Sequence, residues 1–579
     1  MVVAVPSLRA LPQTAKTSPH EGYSSAWRRI VTPELVVSGN APSPTLTRIA
    51  GELTRFRDTF RELFPKTSTS SPTPTWVVVL RDYAAFQKFA PRDSRGRPQT
   101  SVGAYFAPRP DANLIVMGAS SVDGGLRRVF HEYTHYIVSR NTRGAVPLWL
   151  HEGLAEFYST FRGDHQGQTL IGAVPPDRVR QLRSLFDMRL ENVVSGRRAV
   201  DARRFYAVSW ALVHYVLVER TNQVATPLDT YATTFARTGD NDVAFKEAFG
   251  TDVAGMQQEL QEYVKRVRFP ALQYDLQVAA QEVGTPQPML QADADALQGR
   301  LLLEVGAYDD AERMLRDVVK RQPAHAAALT ALARVRLAQD RDDEAVATLQ
   351  RVVAAAPDDG AAQYYLGSAR EQAWQHEAAI AAFDRSIALM PGNPAPWMGL
   401  NGATRALTRD AQASAALSNA LQLEYSPEKY WTEGLQALRL GRNELAVASI
   451  QTYLDLRGNG EDTSMYPLFV QAIAARRAGR TADADAVLAV AATGDMSDEW
   501  TRTVLQFLQG HVDDRKFLRQ AKHIGQETQA RTYLGFKLAL AGRDDEAVAH
   551  YRWVAERGAM NYLEYQLARN ELNRRRYAK

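Results

Sequence analysis

Two kinds of hydrophobic pattern divide this chain. Over residues 26–120 short apolar runs alternate with helical spacing. "ELVVSG" (34–39) and "WVVVL" (76–80) are β-branched runs bounded by turn residues, and they predict buried strands. Between them, "TLTRIAGELTRFRDTFRELF" (45–64) returns to apolar residues every three or four positions, the spacing of an amphipathic helix. "STSSPTPT" reads as a loop and "YAAFQKF" (83–89) as a short helix. "SVGAYFAPRPDANLIVMGA" predicts two strands about a Pro-Asp turn. From 177 to 268 the spacing is helical, most apolar in "RRFYAVSWALVHYVLVER" (203–220). Residues 269–292 hold Pro270, Pro286 and Pro288 with little periodicity and predict a linker, where two halves should separate.

The second half repeats. Pro323, Pro357 and Pro391 stand 34 residues apart, as do Ala311, Ala345, Ala379 and Ala413. Gly299, Ala333, Gly367 and Asn401 keep the same period. A period of 34 with small residues at fixed places and a closing proline is the tetratricopeptide pattern, two helices per repeat. The small residues belong where the two helices touch, and the proline ends the second helix because it cannot continue it. Between 425 and 528 the spacing drifts, although Gly441/Ala446 and Gly479/Ala484 keep the offset of Gly306/Ala311. An all-α solenoid is expected over 293–579.

Composition narrows the chemistry. With 579 residues the chain exceeds one core, so two or more domains are expected. A net charge of +4 without a basic run gives no case for nucleic acid as a partner. There is no cysteine, which excludes disulfides, thiolate metal ligands and a cysteine nucleophile. A metal here must be held by His, Asp or Glu. No apolar run approaches the roughly 18 residues of a membrane span, so no transmembrane segment is expected. Residues 1–25, opening "MVVAVPSLRALPQTA", read either as a disordered start or as a truncated signal peptide. The second reading implies export, periplasmic or extracellular, and the first a cytoplasmic protein.

The chemistry-bearing stretch is "HEYTHYIVSRNTRGAVPLWLHEGLAEF", residues 131–157. In a helix His131 and His135 share a face and can reach one zinc ion, with Glu132 beside them facing a water on that ion. A catalytic zinc takes three protein ligands and an open position. A third histidine six residues on is absent, since Asn141 stands there. Gly144 and Pro147 break the first helix, and "LWLHEGLAEFYSTF" resumes helical spacing with Glu152, sixteen residues intervening after His135. Glu156 follows four residues later on the same face. His151 is a rival ligand by residue type, but it points about 100° away from Glu152 and is read as flanking the site.

Trp149, Leu150, His151, Glu152, Gly153, Leu154 and Ala155 resemble the Trp-Leu-x-Glu-Gly-x-Ala stretch of the gluzincin metallopeptidases, the aminopeptidase N-like clan and its peptidase MA relatives. That resemblance makes Glu152 the third zinc ligand and Glu156 a carboxylate bonded to a ligand histidine. It also implies a tyrosine on a later apolar helix, matched by Tyr206 in "FYAVSWALVHYVL", to stabilise the oxyanion; Tyr215 on the same stretch is the alternative. Two departures stand out. The His135–Glu152 spacing is two residues shorter than in the aminopeptidases, and their Gly-x-Met-Glu-Asn segment is absent, so aminopeptidase specificity is not carried over. The fold expected is an α+β gluzincin-like zinc-peptidase domain over 26–268, followed by the solenoid. The function expected is zinc-dependent hydrolysis of a peptide or protein substrate, with Glu132 as general base and the repeats recruiting a protein partner. A catalytically weak metal domain serving as scaffold for the repeats, and zinc-dependent hydrolysis of a non-peptide substrate, stay open beside it.

Overall fold

The computed structural model describes residues 22–577 except 33–34, 66–72, 93–96, 100–102, 120–121, 142–145, 164–167, 175–181, 183–188, 196–201, 221–225, 267, 276–282, 458–464 and 495–497. The first 21 residues and Gly144 therefore lie outside the described residues. The N-terminal region is built on a six-stranded mixed sheet. Its elements begin with β1 (Tyr23–Val31), β2 (Leu35–Gly39), α1 (Ser43–Leu63), β3 (Thr75–Leu80), α2 (Tyr83–Gln87), β4 (Ala104–Pro108) and β5 (Asn113–Gly118). β2, β3 and β5 run parallel, and β4 returns antiparallel on β5 as the expected hairpin, Pro108 facing Asn113. The segment Tyr23–Ala26 is already strand, so the boundary expected after residue 25 lies too late.

"WVVVL" is apolar at every position because the sheet is covered on both faces. Val37, Val77, Val79, Ile115 and Met117 face one layer, packed on α1 and on the helices that carry the site. Trp27, Val78, Leu80, Leu114 and Val116 face the other. The first layer continues through α3 (Val122–Asn141), α4 (Leu148–Tyr158), β6 (Arg162–Gly163), β7 (Gln168–Ile171), α5 (Leu190–Val194) and α6 (Ala202–His214). It closes with α7 (Thr226–Thr238), α8 (Asn241–Phe249) and α9 (Val253–Val264). The apolar run 203–220 is not one α-helix: from Tyr215 to Arg220 it widens to π pitch.

Among its described residues, the stretch expected to be a linker holds two strands. β8 (Leu272–Asp275) pairs with β7, and β9 (Gln287–Leu290) pairs antiparallel with β1 at the edge of the large sheet. Pro288 is compatible with a strand there because it needs a partner on one side only. Helix α10 (Gln291–Glu304) follows without a break. Met289, Ala292, Leu297, Leu301 and Leu315 bury against the second face of the sheet, in one core with Trp27, Val78 and Val116. The halves thus share a hydrophobic core, and the separation expected at 269–292 does not occur.

The solenoid starts with four helix pairs: α10 with α11 (Tyr308–Arg321), α12 (Ala326–Ala338) with α13 (Asp342–Ala355), α14 (Gly360–Gln372) with α15 (His376–Leu389), and α16 (Pro394–Ala406) with α17 (Asp410–Leu423). Helices continue from Glu428–Arg439 through Leu563–Tyr577. The small residues sit where close packing demands them. A Cβ on Gly299 would stand 2.7 Å from Leu315, and one on Gly367 2.7 Å from Phe383. Asn401 is the larger exception, and its amide donates to the Ala413 carbonyl at 2.9 Å across the pair. The turn inside each pair takes a left-handed residue, Gly306, Asp340, Trp374 and Thr408, again 34 apart.

Candidate metal centre

Helix α3 carries a ladder at four-residue steps, Arg127, His131, His135 and Ser139, on one face. Helix α4 lies against it in the opposite direction, so the rungs pair in reverse order. Arg127 meets Glu156 and Ser159, His131 meets Glu156 and Glu152, His135 meets Glu152, and Ser139 meets His151.

The α4 sequence explains its placement. Trp149 is wholly buried, and its indole donates to the Tyr231 hydroxyl at 3.0 Å, which donates to Asn241 Oδ1 at 2.6 Å. Gly153 lets α4 press onto α6, since a Cβ there would lie 2.5 Å from the Ser209 carbonyl oxygen and 2.6 Å from Val213 Cγ2. Leu150, Ala155 and Phe157 fill the core. Glu152 is thereby turned toward α3.

Three donor atoms converge. His131 Nε2 and His135 Nε2 are 3.0 Å apart, and Glu152 Oε2 lies 3.4 Å from the first and 3.3 Å from the second. A tetrahedral ion with bonds of about 2.0–2.1 Å has its donors about 3.3–3.4 Å apart. Glu152 Oε2 is buried and makes no well-formed hydrogen bond among the described residues, although both imidazoles are beside it. One proton can bridge two such atoms but not three. Two imidazoles and a carboxylate are also a donor set suited to zinc. Among the described residues this is the group of His, Asp and Glu side chains that could hold an ion.

The surrounding charges favour a cation. Burial opposes protonation of His131, but Glu152, Glu156 and Glu132 outweigh it and hold its pKa above the usual imidazole value. Burial alone would raise the Glu152 carboxyl, yet His131 and His135 bring it well below the ordinary range. Glu156 is buried, 3.7 Å from His131 Nδ1, and receives the Arg127 guanidinium at 3.1 Å on its other oxygen. Such a carboxylate fixes the tautomer and tilt of a ligand imidazole.

Tyr206 on α6 places its ring 6.3 Å from the His131 ring, edge toward face. Tyr215 donates to Glu259 at 2.8 Å, half a helix turn away from Tyr206's side, and is not brought to the site. His151 stacks on His135 with ring centres 4.4 Å apart, and its Nε2 meets the Ser139 hydroxyl at 3.2 Å. Burial, with His135 beside it, pushes its pKa down to about 3, so it stands neutral. Sequence reasoning missed Arg127 and Ser139. The signal was there: they precede His131 and follow His135 by four residues each.

Residues 98–266 match the Peptidase MA superfamily. Residues 302–368 match the tetratricopeptide repeat family. The first match spans every site residue just described. No curated protein matches the chain. Among solved structures it is similar in part to MamA, at 23% identity over 27% of this chain and 93% of that one, with a TM-score of 0.23. A thermophilic tetratricopeptide protein of Thermus thermophilus, TTC0263, is 21% identical over 32% of this chain and 98% of its own, with a TM-score of 0.27. A tetratricopeptide repeat protein from Parabacteroides merdae is 12% identical over 49% and 99%, with a TM-score of 0.30. The solenoid assignment rests on the helix pairs and on the repeat match.

Proposed function

We propose that the N-terminal region is a zinc-dependent peptidase and that His131, His135 and Glu152 hold the ion. The observation that carries this reading is the convergence of their three donor atoms at tetrahedral-edge distances, within a segment matching the Peptidase MA superfamily. Zinc, when bound, lowers the pKa of a water and polarises a carbonyl. Glu132 follows the ligand His131 directly and is partly exposed, so it can accept the water's proton as general base and return it to the leaving amine. The Tyr206 hydroxyl donates to the oxyanion that develops on the scissile carbonyl. Arg127 and Glu156 hold the His131 ring while the charge on the substrate changes. A peptidase takes a peptide or protein as substrate, and the tetratricopeptide match implies protein interaction, so the solenoid adds a surface for a protein partner.

The test is Glu132→Gln in the full chain, assayed on a peptide library with and without chelator alongside metal analysis. The variant is expected to keep one zinc per chain and to lose about 10²–10⁴ in turnover. Undiminished turnover would remove Glu132 from the mechanism, and a wild-type chain that takes up no zinc would remove the reading altogether.

A further inference from the structure

The β4–β5 turn leaves the sheet and ends against the first helix of successive repeats. Asp111 is at its tip. Arg300 of α10 grips the Asp111 carboxylate with both terminal nitrogens, at 2.7 and 3.0 Å, and the Tyr365 hydroxyl of α14 donates to the same carboxylate at 2.8 Å. The Asn393 amide, at the start of α16, donates to the Pro110 carbonyl at 2.7 Å. Arg109 pairs with Glu304, whose other oxygen receives Arg334 of α12 at 2.8 Å. Arg300 and Arg334 are 34 residues apart, the same position in consecutive repeats. Trp76 supports Arg300 from below, 4.7 Å from the guanidinium. Burial alone would raise the Asp111 carboxyl, but Arg300, Arg334 and Tyr365 outweigh it and keep it ionised.

These contacts differ from the apolar core beside them. A forked guanidinium–carboxylate pair, a hydroxyl on the same carboxylate and an amide on the neighbouring carbonyl read one acidic side chain and its backbone, as a groove reads a peptide. We infer that the first-helix face of repeats one to four is a carboxylate-recognising surface whose occupant is this chain's own Arg109–Pro110–Asp111 turn. These repeats therefore act in cis, holding the hairpin whose second strand leads directly into the helix of His131 and His135. An acidic, turn-forming peptide segment is the class of ligand this surface takes. In the intact chain the tethered turn excludes it, because its effective concentration far exceeds that of a free peptide.

The experiment uses the full chain with Asp111→Asn, a near-isosteric change that removes the charge and one of the two acceptor oxygens, and a labelled peptide copying residues 104–115. Hydrogen exchange of residues 104–118 is expected to quicken in the variant relative to wild type. The peptide is expected to bind the variant and not the wild type. A peptide with Asn in place of its aspartate should bind the variant about ten-fold or more weakly, and adding Arg300→Met should remove binding. Asp111→Glu should restore part of the protection. Unchanged exchange in Asp111→Asn, or peptide binding indifferent to the peptide's aspartate or to Arg300, would overturn the inference.

Discussion

The site helices and the solenoid pairs use the same packing device for different ends. In both, a glycine lets two helices approach to a distance a side chain would forbid: Gly153 between α4 and α6, Gly299 and Gly367 within repeats. In the solenoid the close approach buries alanine, leucine and phenylalanine in small clusters that join each repeat to the next. At the site it sets Glu152 opposite His131 and His135 and brings Tyr206 beside them. A packing error in the solenoid therefore shifts apolar contacts, while at the site it moves donor atoms. A metal centre tolerates little such movement, because three atoms from two helices must meet at one point.

The comparison breaks most severely at the proposed ligands. His131→Ala with His135→Ala is expected to abolish zinc uptake and hydrolysis while leaving the solenoid's helicity intact, measured by metal analysis and circular dichroism. Full zinc occupancy in that double variant would place the ion elsewhere. Next comes the support beneath His131. Glu156→Gln or Arg127→Gln should weaken zinc affinity about 10–100-fold by competition with a chelator. Equal affinity in both would reduce the pair to a packing contact.

A matched pair of glycine substitutions sharpens the contrast. Gly153→Ala sets a methyl against a backbone oxygen, and Gly367→Ala sets one against the Phe383 side chain. Each is expected to cost about 1–3 kcal/mol in denaturant unfolding, the first toward the upper end. Only Gly153→Ala should also lower turnover. Loss of activity in Gly367→Ala of the same size would show that the site senses the whole solenoid. The mildest perturbation is a pH slope. His214 is buried behind α4, bonded to Tyr263 at 2.7 Å, and burial pushes its pKa down to about 4. The unfolded chain takes up this proton near pH 6.5 and the folded one does not, so stability should fall as pH drops from about 6.5 toward 4. His214→Gln should flatten that slope in chemical denaturation.

Much of this was legible in the sequence. α1, the β4–β5 hairpin and the repeats follow from local spacing, because a helix satisfies its backbone within itself and a repeat touches mainly its neighbour. The face shared by His131 and His135, and Glu156's position one turn past Glu152, needed only the pitch of a helix. Strand pairing was less readable. β1 has an irregular burial pattern, with a register shift between Tyr23 and Arg28, so no period of two announces it. β9 holds a proline and four residues, and it looks like a linker until its partner β1, more than 250 residues earlier, is known.

What the sequence by itself determined is therefore the local half of the protein: the repeat architecture, the two-helix frame of the site, and the candidate donors on each helix. Tertiary structure alone decided which atoms meet. It set Glu152 within 3.4 Å of both imidazoles, placed Arg127 under Glu156, sent Tyr215 to Glu259 and left Tyr206 beside His131. It also joined the two halves through one core and fitted Asp111 between Arg300 and Tyr365. The physical reason is range. Helix periodicity is enforced by hydrogen bonds four residues apart, whereas convergence of side chains from distant elements depends on how whole surfaces pack, and no single stretch of sequence records that.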